Sequence, residues 1–249
     1  MPTQKTQAIV IRSHPLGEVH KIIRFYTVEF GKVSAVAHGS RRVKSRFGGS
    51  LELLNYGNLV FFEYPNKDLH RIDDFDLIDA FDPIKADFDR TTYGCYLAEL
   101  VDATELAGQL ADQSVFHLLQ YAFETLTQTE DIPLLARAFE LQFLGLAGYA
   151  PQLSRCVACA EVFHGATVHF SPSHGGLLCT NCDGNDATAR PISRGSCELM
   201  KQLQKFDFSY LHRFRASDLN HRELKFVLSN FISYHTERTL KSREFIDNL

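Results

Sequence analysis

Four cysteines form two Cys-x-x-Cys pairs in one short segment, Cys156 with Cys159 and Cys179 with Cys182. The spacing is C-x2-C-x19-C-x2-C. Two residues between thiolates let one tight turn aim both sulfurs at a common ion, and four such sulfurs complete a tetrahedral S4 site, the geometry of structural zinc or an iron centre. Four protein ligands leave no position for water, so the expected site is structural rather than catalytic, with one zinc ion per chain. The N-terminus "MPTQKTQAIVIRSHPLG" has neither the apolar region nor the cleavage site of a signal peptide. The expected location is the cytosol, where thiols stay reduced and paired Cys-x-x-Cys motifs point to metal rather than disulfides. His164, His169 and His174 lie between the pairs and read as turn or surface residues, because four thiolates already saturate an ion. Cys95 and Cys197 fall in helical patterns and read as buried small hydrophobes.

A second group able to do chemistry is cationic. "AHGSRRVKSRFGGS" (37–50) carries Arg41, Arg42, Lys44 and Arg46 and no acid. Glycines and serines flank the cluster, which predicts a mobile loop whose spaced cations can follow a phosphate backbone with salt-dependent affinity. Lys21, Arg24 and Lys32, on neighbouring predicted strands, extend this candidate surface. The chain has no Trp, so stacking on bases would fall to Phe25, Tyr26, Phe47 or Phe62. The net charge of −4 conceals a polarity: residues 1–50 carry +7, residues 51–149 carry −13 and residues 150–249 carry +2. A basic first fifth on an acidic chain argues for a local polyanion site.

Other chemistries find little support. "HRE" (221–223) echoes the H-x-E of zinc deaminases, but it follows both cysteine pairs and no proline precedes either first cysteine. There is no phosphate loop, nucleophile elbow or H-E-x-x-H. No run of about 18 apolar residues predicts a membrane helix.

The first 80 residues must position the cations. "TQAIVIRSH", "VHKIIRFYTVEF", "GKVSAVAHG", "YGNLVFFEY" and "LHRIDDFDLIDAF" are rich in β-branched and aromatic residues and separated by Gly and Pro turns. Five short strands without a long helix between them suit a small closed barrel of the OB type. Helical spacing takes over at Asp82-Pro83, with Asp82 as N-cap and Pro83 in the first turn. Leu97, Leu100, Val101 and Leu106 mark one helix. Val115, Leu118, Leu119, Ala122 and Leu126 mark another, with Asp112 near its start. A third begins at Asp131 and stops at "LAGYAP", with Gly148 as its C′ residue. "TVHF" and "SPSHGG" predict a hairpin between the cysteine pairs. Helical spacing resumes at "PISRGSCELMKQLQKF" and runs last from about Asp218 to Leu240. The stripes of 97–147 and 193–240 are expected to share one core. The fold class is therefore α+β: an N-terminal five-stranded OB-fold barrel, then a helical domain with an inserted four-cysteine zinc element. The expected boundaries are 1–81 for the barrel, 82–151 and 191–249 for the two helical parts, and 152–190 for the insert.

This order of parts resembles the RecO family of bacterial recombination mediators over essentially the whole chain. The resemblance rests on "GSRRVKSRFGG", "FELQFLGLAGYAPQLSRCVACA", "FSPSHGGLLCTNC" and the near-terminal "LKSREF". It implies binding of single- and double-stranded DNA, annealing of complementary strands, and help in loading recombinase onto strands coated by single-strand DNA-binding protein. It also implies a RecR partner and a cytoplasmic, nucleoid-associated location. Family loops often have proline where Val43 stands, and some members lack the cysteines, which makes zinc a stability device. Residues and resemblance together predict a non-catalytic DNA-binding mediator. The alternative is a zinc-stabilised protein-interaction scaffold with no direct nucleic-acid function.

Overall fold

The computed structural model describes residues 3–104, 113–163, 167–236 and 240–247. The expectations on Leu106, Asp112 and His164 fall outside these. The described residues form two compact units, one within 1–103, 108–127 and 240–249, the other within 104–107 and 128–239.

The first unit is built on five strands: β1 (Thr3–Leu16), β2 (His20–Thr27), β3 (Gly31–Ala37), β4 (Tyr56–Phe62) and β5 (Leu69–Asp79). They close in the order β1-β2-β3-β5-β4, with β3 and β5 parallel and the other pairs antiparallel. This is the OB-type barrel expected from the strand pattern. Alternation sets the faces. Ile23 and Phe25 of β2, Val33, Ala35 and Ala37 of β3, and Leu59 and Phe61 of β4 fill the interior. Residues 38–55, between β3 and β4, form a succession of hydrogen-bonded turns rather than an open loop. They send Phe47 and Leu51 into the barrel core. On β4, a Cβ at Gly57 would lie 2.3 Å from the Asp76 carbonyl oxygen, so only glycine lets β5 approach there.

The barrel is followed by α1 (Asp82–Lys85), α2 (Phe88–Ala103) and α3 (Gln113–Leu126). The helical start at Pro83 is as expected, but its cap is not Asp82. Phe81 takes the capping position in the left-handed region (φ 50°), buried. Its N–H donates to the Asp79 carboxylate at 2.7 Å. Helix α2 buries residues around most of its circumference. Lacking a single apolar stripe, it needs partners on several sides. It packs on β1, α1, α3 and the short α7 (Lys241–Asp247). The Glu99 carboxylate accepts from the N–H groups of Lys241 (3.0 Å) and Ser242 (2.8 Å), which gives "LKSREF" its task of anchoring α7 on α2.

The second unit holds α4 (Ile132–Leu146), α5 (Arg194–Leu203) and α6 (Asp218–Thr236), with a three-stranded sheet in the order β7 (Gly176–Leu178), β6 (Thr167–Ser171), β8 (Arg190–Ser193). Asp131 caps α4 by accepting from the Leu134 N–H at 3.0 Å. Gly148 ends it at φ 86°, the C′ glycine expected from "LAGYAP", and the Tyr149 N–H donates back to the Leu144 carbonyl at 2.7 Å in a Schellman arrangement. The single core expected through 97–147 and 193–240 is met by α4, α5 and α6 alone, since α2 and α3 pack in the barrel's unit. The "HRE" stretch is structural: the Glu223 carboxylate accepts from the Ser193 N–H and hydroxyl, at 3.0 and 2.7 Å, and fixes the step from β8 into α5.

Candidate metal centre and cationic surface

The sulfurs of Cys156, Cys159, Cys179 and Cys182 all lie within 4.8 Å of one another. Two stretches of chain bring them together. The first pair is hooked onto β7 by the Val157 N–H, which donates to the Leu177 carbonyl at 2.9 Å. Gly176 permits this approach, because a Cβ there would meet the Gln152 carbonyl oxygen at 2.4 Å. Ala160, in the left-handed region at φ 62°, closes the turn with its N–H on the Cys156 carbonyl at 2.9 Å. The second pair sits in a turn closed by the Cys182 N–H on the Cys179 carbonyl at 2.9 Å.

The separation between Cys159 and Cys179 sulfurs is 3.8 Å. Zinc–sulfur bonds of about 2.3 Å in a tetrahedron put neighbouring sulfurs about 3.8 Å apart, so the donor set fits such an ion. Burial pushes the Cys156 thiol up, but backbone N–H groups of Cys179, Cys159 and Ala158 outweigh this and pull it down to about 6. The neighbouring sulfurs push Cys159 up, and Cys182 up to about 12, so a thiolate at Cys156 is shared by hydrogen bonds with thiols around it. These four residues could hold a metal ion. Two of the intervening histidines lie beside carboxylates: His169 Nδ1 is 3.1 Å from the Asp183 carboxylate without a hydrogen bond. His174 joins Ser171, Ser173 and Asp186 in the hairpin turn. That hairpin, β6 to β7, stands where "TVHF" and "SPSHGG" placed it. The strand β8 behind it was not anticipated.

The seven cations read from the first fifth of the chain separate into two groups. Arg41, Arg42, Lys44 and Arg46 are all exposed, as is Val43 between them. Arg41 donates to the Gly17 carbonyl at 2.8 Å, and Arg46 to the Ile72 carbonyl at 3.2 Å with its guanidinium over the Phe47 ring. Arg42 and Lys44 make no side-chain hydrogen bond or ion pair among the described residues. Lys21 is register-paired with Ala37, where β3 hands over to this segment, and shares the neighbourhood.

Arg24 and Lys32 occupy the outer face of β2 and β3, where their charges are met inside the protein. Arg24 donates to the Asp102 carboxylate at 2.8 Å and to the Ser34 hydroxyl, and Lys32 to the Asp102 carbonyl at 2.9 Å. Arg12, which the sequence reading did not single out, completes the group at 3.0 Å from Asp102. Burial pushes the Asp102 carboxyl up, but Arg24 and Arg12 outweigh it and hold it below the usual carboxylate range. Of the aromatics considered for stacking, Phe25, Tyr26 and Phe47 are buried. Phe62 alone is half-buried, on the outer side of β4.

The chain thus combines a five-stranded OB-type barrel that carries an exposed cationic segment with a helical unit whose four clustered cysteines could hold a metal ion. "Recombination protein O N terminal" matches residues 1–81, and "Recombination protein O C terminal" matches residues 85–244. The DNA repair protein RecO of Symbiobacterium thermophilum is 34% identical over 251 residues, covering 100% of this chain and 98% of its own. Those of Desulforamulus reducens (30% identical; 100% and 96% covered) and Moorella thermoacetica (31% identical; 98% and 91% covered) are similar along their lengths. The chain belongs to the RecO family. No helix among the described residues is long and apolar enough to cross a membrane.

Proposed function

We propose that the protein is a non-catalytic recombination mediator that binds single- and double-stranded DNA through the barrel and anneals complementary strands. The observation that carries this is the exposed run Arg41, Arg42, Lys44 and Arg46 on the barrel of a RecO-family chain. Annealing needs no bond chemistry. It needs phosphate charge neutralised while two strands meet, and cations on long side chains do this without reading base edges. Lys21 extends this surface. Arg24 and Lys32 are left out of it because the end of α2 already holds them. Zinc, held by Cys156, Cys159, Cys179 and Cys182, fixes the hairpin and its flanking turns and takes no part in DNA contact. Family membership supports RecR and single-strand DNA-binding protein as partners in recombinase loading, in the bacterial cytoplasm at the nucleoid.

The test is binding of a short oligonucleotide at several salt concentrations. If the four cations each neutralise one phosphate of a single strand, they contribute roughly −3 to the log–log salt slope, at about −0.7 per phosphate. Replacing all four with alanine is expected to flatten the slope by that amount, weaken all sequences alike and slow annealing. An unaltered slope would remove the segment from the function and leave the protein-scaffold reading in its place.

A further inference from the structure

On the outer side of the barrel, beside the cationic segment, the structure assembles two aromatic rings and two cations. Leu59 and Phe61 point into the core, so Phe62 faces outward. Arg71 of β5 is its direct cross-strand partner. The Arg71 guanidinium lies over the Phe62 ring, 5.1 Å from its centre, and Asp73 accepts from its Nε at 2.9 Å. Tyr64 follows, its ring 5.0 Å from that of Phe62 at an interplanar angle of 61°.

The chain then turns on Pro65 and Asn66. Asn66 is left-handed at φ 59°, and the Lys67 N–H closes the turn on the Tyr64 carbonyl at 3.3 Å. Proline at the second position and a left-handed asparagine at the third define a type II turn. That turn brings the Lys67 ammonium back over the Tyr64 ring, at 5.4 Å. His70 fixes the base of the turn by accepting from the Tyr64 N–H at 3.2 Å.

We infer that Phe62 and Tyr64, flanked by Arg71 and Lys67, form a stacking platform for unpaired bases and give the barrel a preference for single-stranded nucleic acid. Both rings are half-buried, which leaves ring surface at the exterior of a barrel whose core lies on the other side of β4. Aromatic planes bind bases of any sequence, and Lys67, which has no carboxylate partner among the described residues, can take a phosphate, while Arg71 is held by Asp73 and supports the Phe62 ring. The position is also continuous with the cationic segment. Arg46 donates to the carbonyl of Ile72, the residue after Arg71. Arg71 is in register with Val36, close to where β3 leads into that segment. The loop between β4 and β5 is, moreover, one that OB barrels use for oligonucleotides. A duplex offers the same phosphates but keeps its bases stacked inside.

The inference rests on the reading of the barrel as a DNA-binding surface. The experiment compares an oligothymidylate of about 15 nucleotides with a duplex of equal length, by anisotropy at several salt concentrations. Phe62→Ala with Tyr64→Ala is expected to weaken the single strand about tenfold or more, leave its salt slope unchanged and leave duplex affinity within twofold. Because the chain has no Trp, Tyr64→Trp creates a single reporter. Its emission is expected to be quenched by the single strand and not by the duplex, and this variant decides if the double alanine variant fails to fold. Unchanged single-strand affinity in a folded double variant, or an unquenched Trp in the bound protein, overturns the platform. If the unaltered chain binds neither probe, the DNA-binding reading falls as well. If it binds and only the four-cation variant changes, the platform alone falls.

Discussion

Chelation of the metal, or Cys179→Ser, is expected to open the segment from Gln152 to Ser193 while the barrel stays folded. The strands there are too short to stand alone: β7 has three residues, β8 four and β6 five, and so small a sheet is marginal in water without further support. Its support is the convergence of two turns on one point, with sulfurs 3.8 Å apart at Cys159 and Cys179. Structural zinc contributes on the order of 10 kcal/mol of apparent binding energy to local folding. Without the ion, no bond ties the four sulfurs to a common point, and only the hydrogen bonds of the two turns hold them together. Phe170 of β6 stacks edge-on to Phe231 of α6 at 5.3 Å, so the loosening should reach α6 within the same unit. Hydrogen exchange read by mass spectrometry would show rising exchange in peptides from 152–193 and 224–235 and none in 3–79. Elemental analysis should find one zinc per chain. Absence of metal from the folded protein, or exchange in 152–193 indifferent to chelator, would overturn the zinc reading.

What the residues made legible was mostly local. The cysteine pairs declare their geometry because each pair is one turn, and the hairpin between them is one strand, one Gly-rich turn and another strand. The strands of the barrel show in their alternation, and α4 in its cap and stop. What escaped depends on partners far along the chain. Arg24 and Lys32 look like any outward cations on a strand. Only the closed fold brings Asp102, 78 residues after Arg24, onto the same face. Helix α2 misled for a related reason: besides Leu97, Leu100 and Val101 it buries Thr92, Tyr93, Gly94, Tyr96 and Ala98, so the stripe read from its sequence does not say which partners it takes. Strand β8, four residues with a proline at its second position, is too short to signal. Tyr64, Lys67 and Arg71 were passed over although Pro65-Asn66 announces a turn, because the side of the barrel that Phe62 faces follows from the closure of β4 on β1 and β5.

Asp102→Ala is expected to destabilise the barrel's unit by about 2 kcal/mol. Arg12 and Arg24 are direct cross-strand partners, and like charges so placed repel. Asp102 joins them, with 6% of its side chain exposed against 53% and 37% for the two arginines. Removing one partner of a fully buried pair costs about 3–5 kcal/mol. Water reaching the guanidiniums relieves part of this, hence the smaller figure. Lys32 keeps its bond, since it uses the backbone carbonyl of Asp102. The acid side of the stability profile should change too. The Asp102 carboxyl is held below its ordinary value of 3.8 in the folded chain. Its contribution is therefore complete above that value and fades as pH falls below it, where the unfolded chain takes up the proton first. Asp102→Asn should lose that part of the acid dependence, and a denaturant titration at pH 7 and near pH 3 would measure it. The DNA measurement completes the test. Arg24→Gln should lower stability and leave the single-strand salt slope unchanged, because this guanidinium faces a carboxylate and not a phosphate. A slope reduced by about 0.7, the share of one neutralised phosphate, would return Arg24 to the DNA surface and make Asp102 its competitor.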